Sequence, residues 1–158
     1  MIKKIISICL CVLLTGCGYI NKYERSTEPG VIVEITMDDV LRRMENKETF
    51  MFVFTQITCH NCADFKEYVL KDYIQNHGFE FNEVVLSVFM DTKPVKEWIQ
   101  QHPNPIDQLE EGLTPKDVLT PTFYFIENGE VKDIYIGSKM TKKVLDEMVV
   151  KYRLDEVK

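Results

Sequence analysis

The spacing of apolar residues in the first half of the chain predicts alternating strands and helices. Val31–Ile35 is typical of a strand, and Thr36 is a good N-cap for a helix that ends near Asn46. Phe50–Phe54 is a continuous apolar run. Such a run is expected for a strand that is buried on both faces of a sheet, so this strand is predicted to be central.

A long helix is predicted from His60 to about Asn76, because apolar residues recur there at a spacing of four. Gly78 follows and is expected to end the helix. Val84–Phe89 is then predicted to be a third buried strand. The helical stripes consist of Phe65, Val69 and Tyr73, and of Leu70 and Ile74.

The second half of the chain predicts an antiparallel hairpin between two helical regions. Pro94–Gln101 is a short helix, and His102–Lys116, which contains three prolines, is a loop or a broken helix. Thr122–Ile126 and Val131–Ile136 form the hairpin across Asn128-Gly129. A last helix runs from Thr141 to about Arg153. The order βαβαβα followed by ββα predicts an α/β sandwich.

The first sixteen residues have the order of a secretory signal. Lys3 and Lys4 precede Ile5–Leu14, an apolar run that is too short to span a membrane as a helix. Leu14-Thr15-Gly16-Cys17 resembles a bacterial lipobox. This resemblance implies cleavage before Cys17 and a diacylglycerol on its sulfur; an ordinary signal peptide with an incidental cysteine is the alternative. We therefore expect a signal peptide (1–16), a lipid-anchored tether (17–30) and one domain (31–158).

Charge and composition narrow the range of partners. The tether, Gly18–Gly30, is polar and rich in turn residues, although an extra edge strand through Tyr19 and Ile20 is the alternative. Removal of residues 1–16 takes away two positive charges and changes the net charge from −6 to −8. A chain this acidic has no basic surface for nucleic acid and is not attracted electrostatically to an anionic lipid surface.

The signal assignment also sorts the five cysteines. Cys9 and Cys11 are removed with the signal, and Cys17 is acylated. Only Cys59 and Cys62 remain, in a protein sent to where disulfides persist. A disulfide between residues this close restrains almost no chain, so the pair is better suited to reversible redox chemistry than to structural stabilisation.

The two cysteines lie between the buried strand and the long helix. At the helix N-terminus, free N–H groups and the helix dipole stabilise a thiolate at Cys59, and Cys62 lies one turn further on. Half of a metal site is the alternative, although a closed zinc site needs two more ligands and no histidine shows ligand spacing to another. His60 either tunes Cys59 or is simply an exposed residue. We expect no metal and no cofactor.

These residues resemble the thioredoxin family. The resemblance rests on the C-x-x-C pair after a buried strand and on Thr120-Pro121-Thr122 leading into the Asn-Gly-Glu hairpin. It implies a thioredoxin fold, with a central mixed sheet and helices on both faces. It further implies that Pro121 is cis and packs against the cysteines, and that Thr120 offers its backbone to a bound substrate strand. Thr58, His60 and Asn61 are implied to tune the active site.

A narrower stretch, Glu48–Phe54 followed by Thr-Cys-x-x-Cys, resembles thioredoxin-like accessory proteins of bacteriocin export systems. The chain departs from the wider thioredoxin pattern at several places. They are Thr58 in place of a tryptophan, the dipeptide His60-Asn61, Val53 in place of a buried acid, Glu67 in place of a proline, and a longer segment at Trp98–Lys116. We expect that longer segment to lie at the surface near the active-site edge and to contribute to partner choice.

Two functions are compatible with this pattern. The first is a thiol–disulfide oxidoreductase, anchored by lipid at the extracytoplasmic face of the cell membrane, that acts on exported protein thiols and disulfides and exchanges electrons with a membrane redox partner. The second is a non-catalytic binding module or export accessory that uses the same fold. A redox-inert module would bind its partner equally well after both cysteines are changed to serine.

Overall fold

The computed structural model describes residues 23–87 and 92–157, and within them no helix is long and apolar enough to cross a membrane. The strands are β1 (Val31–Glu34), β2 (Phe50–Gln56), β3 (Glu80–Leu86), β4 (Thr122–Glu127) and β5 (Glu130–Ile136). The helical segments are α1 (Met37–Glu45), α2 (His60–Phe65), a π-helical segment (Lys66–Leu70), α3 (Lys71–Ile74), α4 (Lys93–Gln101), a 3₁₀ turn (Ile106–Gln108), a second 3₁₀ turn (Gly137–Lys139) and α5 (Lys142–Lys151).

The five strands form one mixed sheet in the order β1-β3-β2-β4-β5. β3 is parallel to both β1 and β2, whereas β4 is antiparallel to β2 and β5. Because Phe54 pairs with Thr122, the end of β2 lies beside the start of β4. The loops that follow β2 and precede β4 therefore meet at one edge of the sheet, which is where the two predicted site segments lie.

Helices cover both faces of the sheet, as predicted. The core on one face is built from α1, α4 and the sheet, and its members are Met37, Val40, Phe50, Phe52, Phe54, Val84, Val95, Trp98, Ile99, Tyr124 and Ile126. The core on the other face is built from α2, the π-helical segment, α3, α5 and the sheet, and its members include Met51, Phe65, Leu70, Tyr73, Phe79, Phe81, Phe123, Phe125, Leu145, Met148 and Tyr152.

Local signals in the sequence placed several boundaries correctly. Thr36 caps α1 in a capping box with Asp39, and Thr141 caps α5 by accepting from the N–H of Val144. Asn128 and Gly129 both have positive φ, at 52° and 76°, as a tight hairpin turn requires. These elements are decided by residues close in sequence, so the pattern alone was sufficient to find them.

The predicted boundary of the third strand was wrong. β3 begins at Glu80 instead of Val84, and Val88 and Phe89 lie outside the described residues. Asn82 is fully buried within the strand, and its amide donates to the carbonyl of Met51. A polar side chain with a distant partner is tolerated in a central strand, and the hydrophobic pattern does not reveal that partner.

The predicted long helix is also interrupted. A π-helical segment, Lys66–Leu70, separates α2 from α3. The buried positions step by five residues from Phe65 to Leu70, which matches the i→i+5 repeat of a π-helix. Val69, predicted to lie in the buried stripe, is only half-buried.

The described part of the predicted tether, residues 23–30, lies against the domain. Arg25 forms ion pairs with Asp146 at 2.7 Å and with the fully buried Asp155 at 2.8 Å, and the hydroxyl of Tyr23 also donates to Asp155. Burial alone would raise the pKa of Asp146, but hydrogen bonds from Arg25 and Tyr73 outweigh it and hold that pKa below its ordinary value. The carboxylate of Asp146 therefore stays ionised. The ion pairs of Arg25 with Asp146 and Asp155 hold the two ends of the described chain together.

Candidate active site

Cys59 and Cys62 form a disulfide at the start of α2, with their Cα atoms 5.2 Å apart. Cys59 is the N-cap of the helix, and the backbone N–H of Cys62 donates to its Sγ at 3.1 Å. The turn that leads into the helix is closed by the N–H of Cys59, which donates to the carbonyl of Gln56 at 3.1 Å. The end of β2 and the first turn of α2 therefore fix the position of the sulfur of Cys59.

The two cysteines differ in exposure. Cys59 is half-buried, whereas Cys62 is only 3 % exposed and lies on the inner side of the helix. A helix N-terminus stabilises a thiolate, and burial disfavours one. In the reduced protein this difference favours Cys59 as the attacking sulfur, which remains a prediction.

The Thr120–Pro121 peptide bond is cis, as predicted, and its loop lies against the disulfide. The carbonyl oxygen of Thr120 is 3.3 Å from Sγ of Cys59. The loop is held on both sides, since Thr122 Oγ1 donates to the carbonyl of Leu119 and the N–H of Gly137 donates to the carbonyl of Pro121. The two segments that were predicted to form the site, about sixty residues apart, are therefore in contact.

The residues predicted to tune the pair are at the surface. Thr58, His60 and Asn61 are all exposed. His60 is 88 % exposed, and its Nε2 lies 3.3 Å from a carboxylate oxygen of Asp64, one turn along the helix. This arrangement fits the alternative of an exposed helix-start residue, and the tuning role of these three residues stays a prediction.

The segment Trp98–Lys116 divides into a core part and a surface part. The prediction that Trp98 lies at the surface is wrong. This residue is 4 % exposed, and its ring packs edge-on against Phe52 at 5.3 Å. Further along, the side chain of Gln108 donates to the carbonyl of Ile134 and accepts from the N–H of Ile136. The segment therefore covers the open edge of β5 at the end of the sheet that holds the disulfide.

A buried charge pair beneath α2 was missed at the sequence level. Lys66 contacts Glu83 on β3, and the carboxylate is almost fully buried. An acid inside the stretch Phe81–Leu86 was a visible signal, but the predicted strand began one residue after it. Within the described ranges, 23–87 and 92–157, no group of three or more His, Cys, Asp or Glu side chains is placed to hold a metal ion.

The sequence matches no protein-family model and no curated protein. The structure is similar to that of a thioredoxin from Malassezia sympodialis, with a TM-score of 0.50 and 14% identity over 82% of this chain and 96% of that one. It is also similar to thioredoxin NaTrxh from Nicotiana alata, with a TM-score of 0.48 and 13% identity over 82% of this chain and 98% of that one. At these identities the likeness shows the fold alone. The chain has a thioredoxin fold, with a C-x-x-C disulfide where β2 passes into α2.

Proposed function

We propose that the protein is a thiol–disulfide oxidoreductase that works through Cys59 and Cys62. The observation that carries the proposal is the disulfide at a helix N-terminus, with the carbonyl of Thr120 only 3.3 Å from Sγ of Cys59. A half-buried sulfur at the start of a helix is accessible to a second sulfur. A backbone carbonyl at the same place can pair with an extended substrate strand.

The chemistry is a pair of sulfur exchanges. In the reducing direction the thiolate of Cys59 attacks one sulfur of a substrate disulfide. The substrate S–S bond breaks, its electron pair leaves on the other substrate sulfur, and that sulfur takes a proton from water. Cys62 then loses its proton to solvent and attacks Cys59, so that the Cys59–Cys62 disulfide forms and the substrate leaves with two electrons and two protons more than it brought. The oxidising direction is the reverse.

We further propose that the enzyme acts outside the cytoplasm, held to the membrane by lipid on Cys17. The support is the order of charged, apolar and small residues before Cys17. Two or more acyl chains bind a bilayer far more stably than one. The substrates would then be exported protein thiols or disulfides, and a membrane protein would exchange electrons with the Cys59–Cys62 couple.

A redox titration tests the oxidoreductase proposal. Equilibration with graded glutathione buffers is expected to give one two-electron transition between about −270 and −120 mV, the range of thiol–disulfide enzymes. The fraction oxidised is measured by the mass added on alkylation. The variant with Cys59→Ser and Cys62→Ser is the baseline and shows no transition.

A midpoint below about −300 mV would instead indicate a structural disulfide. That result, together with unchanged partner binding by the double variant, would contradict the enzyme and support the non-catalytic binding module.

Replacement of the proposed lipidation site tests the location. Wild-type protein extracted from membranes is expected to lack residues 1–16 and to carry the mass of acyl chains. Cys17→Ala is expected to leave the membrane fraction or to stay unprocessed, with an unchanged melting temperature, because residue 17 precedes the predicted domain, 31–158. Intact mass spectrometry of both fractions measures this. A mature N-terminus at any other residue would refute the lipid anchor but not the redox proposal.

A further inference from the structure

Glu83 is a nearly buried carboxylate on the sheet face that carries α2. Its side chain is 7 % exposed, and it pairs in register with Val53 on β2. Directly paired residues of neighbouring strands point to the same side of the sheet. Glu83 therefore shares a face with Val53 and with Phe81, whose ring stacks on Phe65 of α2 at 5.8 Å. A carboxylate placed there is separated from water by the helix that carries both cysteines.

Lys66, the first residue of the π-helical segment that continues α2, supplies the counter-charge. Its Nζ lies 2.8 Å from Oε1 and 3.0 Å from Oε2 of Glu83, and its side chain is 42 % exposed. Oε1 is buried and has the lysine charge beside it, but it accepts no directed hydrogen bond. The carboxylate therefore depends on one lysine for its compensation, and loss of either partner leaves the other charge unbalanced.

The charge pair is one helical turn from the buried cysteine. Lys66 follows Cys62 by four residues and its backbone N–H donates to the carbonyl of Cys62. Residues four apart lie on the same side of a helix, with about 5–6 Å between their Cβ atoms. Cys62 is 3 % exposed, so its sulfur also faces inward. In partly buried surroundings, an unbalanced unit charge one helical turn away acts on a thiol that must ionise.

The other charged groups on this helix and on the turn that contacts it face solvent in the described part of the chain. They are His60 with Asp64, Glu67 with Lys71, Asp72, and Lys139. Water screens such groups, so they act weakly on a buried sulfur. The pair of Lys66 and Glu83 is thus the charged pair on the inner side of the helix beside Cys62.

We propose that Glu83 is a positioning residue for the redox reaction, because it neutralises Lys66 and so prevents the lysine charge from stabilising the thiolate of Cys62. This inference rests on the proposed function. Without Glu83 the lysine charge would act on Cys62 and stabilise its thiolate. Without Lys66 the lone carboxylate would destabilise that thiolate. The two single substitutions therefore have opposite effects, and the double substitution cancels them.

The test is titration of the Cys62 thiol by its thiolate absorbance, in protein that carries Cys59→Ser. Glu83→Gln is expected to lower the midpoint by about one pH unit, which is a tenfold rise in the thiolate fraction below it. Lys66→Met is expected to raise the midpoint by a similar amount. The double variant is expected to have a midpoint close to that of the parent protein. Lys66→Arg, which keeps the positive charge, is also expected to leave the midpoint close to the parent value.

A matched ion pair on the outer side of the same helix provides the control. Lys71 contacts Glu67 at 2.7 Å, with both side chains more than half exposed. Lys71→Met and Glu67→Gln are expected to leave the midpoint unchanged. The titration needs no substrate, so it reads the charge effect even in a protein that proves to have no oxidoreductase activity.

Resolution kinetics give the consequence for the reaction. With Cys59 restored, Glu83→Gln is expected to speed release of a preformed mixed disulfide about threefold at pH 7, since the tenfold gain in thiolate is partly offset by lower nucleophilicity. Lys66→Met is expected to slow it by a similar factor.

If both single variants move the midpoint in the same direction, or neither moves it, the pair has a structural role and the proposal is overturned. If Glu83→Gln protein fails to fold, the Lys66→Met variant still shows the direction of the midpoint shift, because Lys66 is half-exposed and its replacement should be tolerated.

Discussion

Cys62→Ser protein is expected to accumulate as a stable mixed disulfide with its substrates, whereas Cys59→Ser protein is expected to capture almost none. The expectation follows from the position of each sulfur. Cys59 caps the helix and lies half-buried beside the loop of Thr120, so an incoming disulfide can reach it. Cys62 is 3 % exposed and can reach only a sulfur that is already bound to Cys59.

The same positions predict the loss of turnover. Cys59→Ser removes the attacking thiolate, and loss of an essential nucleophile costs about a thousandfold or more in rate. Cys62→Ser leaves the first exchange intact and blocks the second, so one substrate equivalent reacts and turnover then stops. Non-reducing electrophoresis of protein recovered from cells shows the captured adducts, and a dithiol reductant should release them.

Alkylation of the reduced wild-type protein checks the assignment without a substitution. A helix N-terminus favours ionisation of Cys59, and burial opposes ionisation of Cys62. At mildly acidic pH a small alkylating reagent is therefore expected to label Cys59 first, as measured by peptide mass mapping. Labelling of Cys62 first, or capture by Cys59→Ser protein, would show that the roles are reversed while leaving the fold unaffected.

Much of the site could be predicted because each half of it is encoded locally. The C-x-x-C pair follows a buried strand and opens a helix, and Thr120-Pro121 precedes a second strand. Once the antiparallel pairing of β2 with β4 is formed, Phe54 lies opposite Thr122 and the two loops are brought together. The topology of the sheet therefore brings the two locally encoded segments together in one site.

The parts that the sequence did not reveal depend on partners far away in the chain. Asn82 and Glu83 are polar residues in a central strand, and each is compensated from another element, Asn82 by the carbonyl of Met51 and Glu83 by Lys66. Arg25 likewise reaches Asp155, 130 positions along the chain. A polarity pattern reports whether a residue is polar, but not which distant group satisfies it, so such positions are taken for loops or tethers.

The aromatic cluster under β2 is expected to dominate stability, and Phe52→Ala is expected to lower the free energy of unfolding by about 3–5 kcal/mol. Phe52 is fully buried. Its ring stacks on Tyr124 at 4.9 Å and makes edge-on contacts with Trp98 at 5.3 Å and Phe54 at 5.4 Å. Truncation removes all three contacts at once and leaves a cavity between the sheet and α4, which rigid neighbours can close only in part.

Urea unfolding of the oxidised protein measures the effect, with a lower midpoint and an unchanged slope expected. Tyr68→Ala is the matched control, because this aromatic side chain is 79 % exposed and its loss should change stability by less than about 0.5 kcal/mol.

The cluster lies on the sheet face opposite α2, so Phe52→Ala protein that remains folded should keep the wild-type reduction potential. A loss below about 1 kcal/mol would contradict the packing of this core. A shifted potential would show that the core under β2 also acts on the disulfide at the end of that strand.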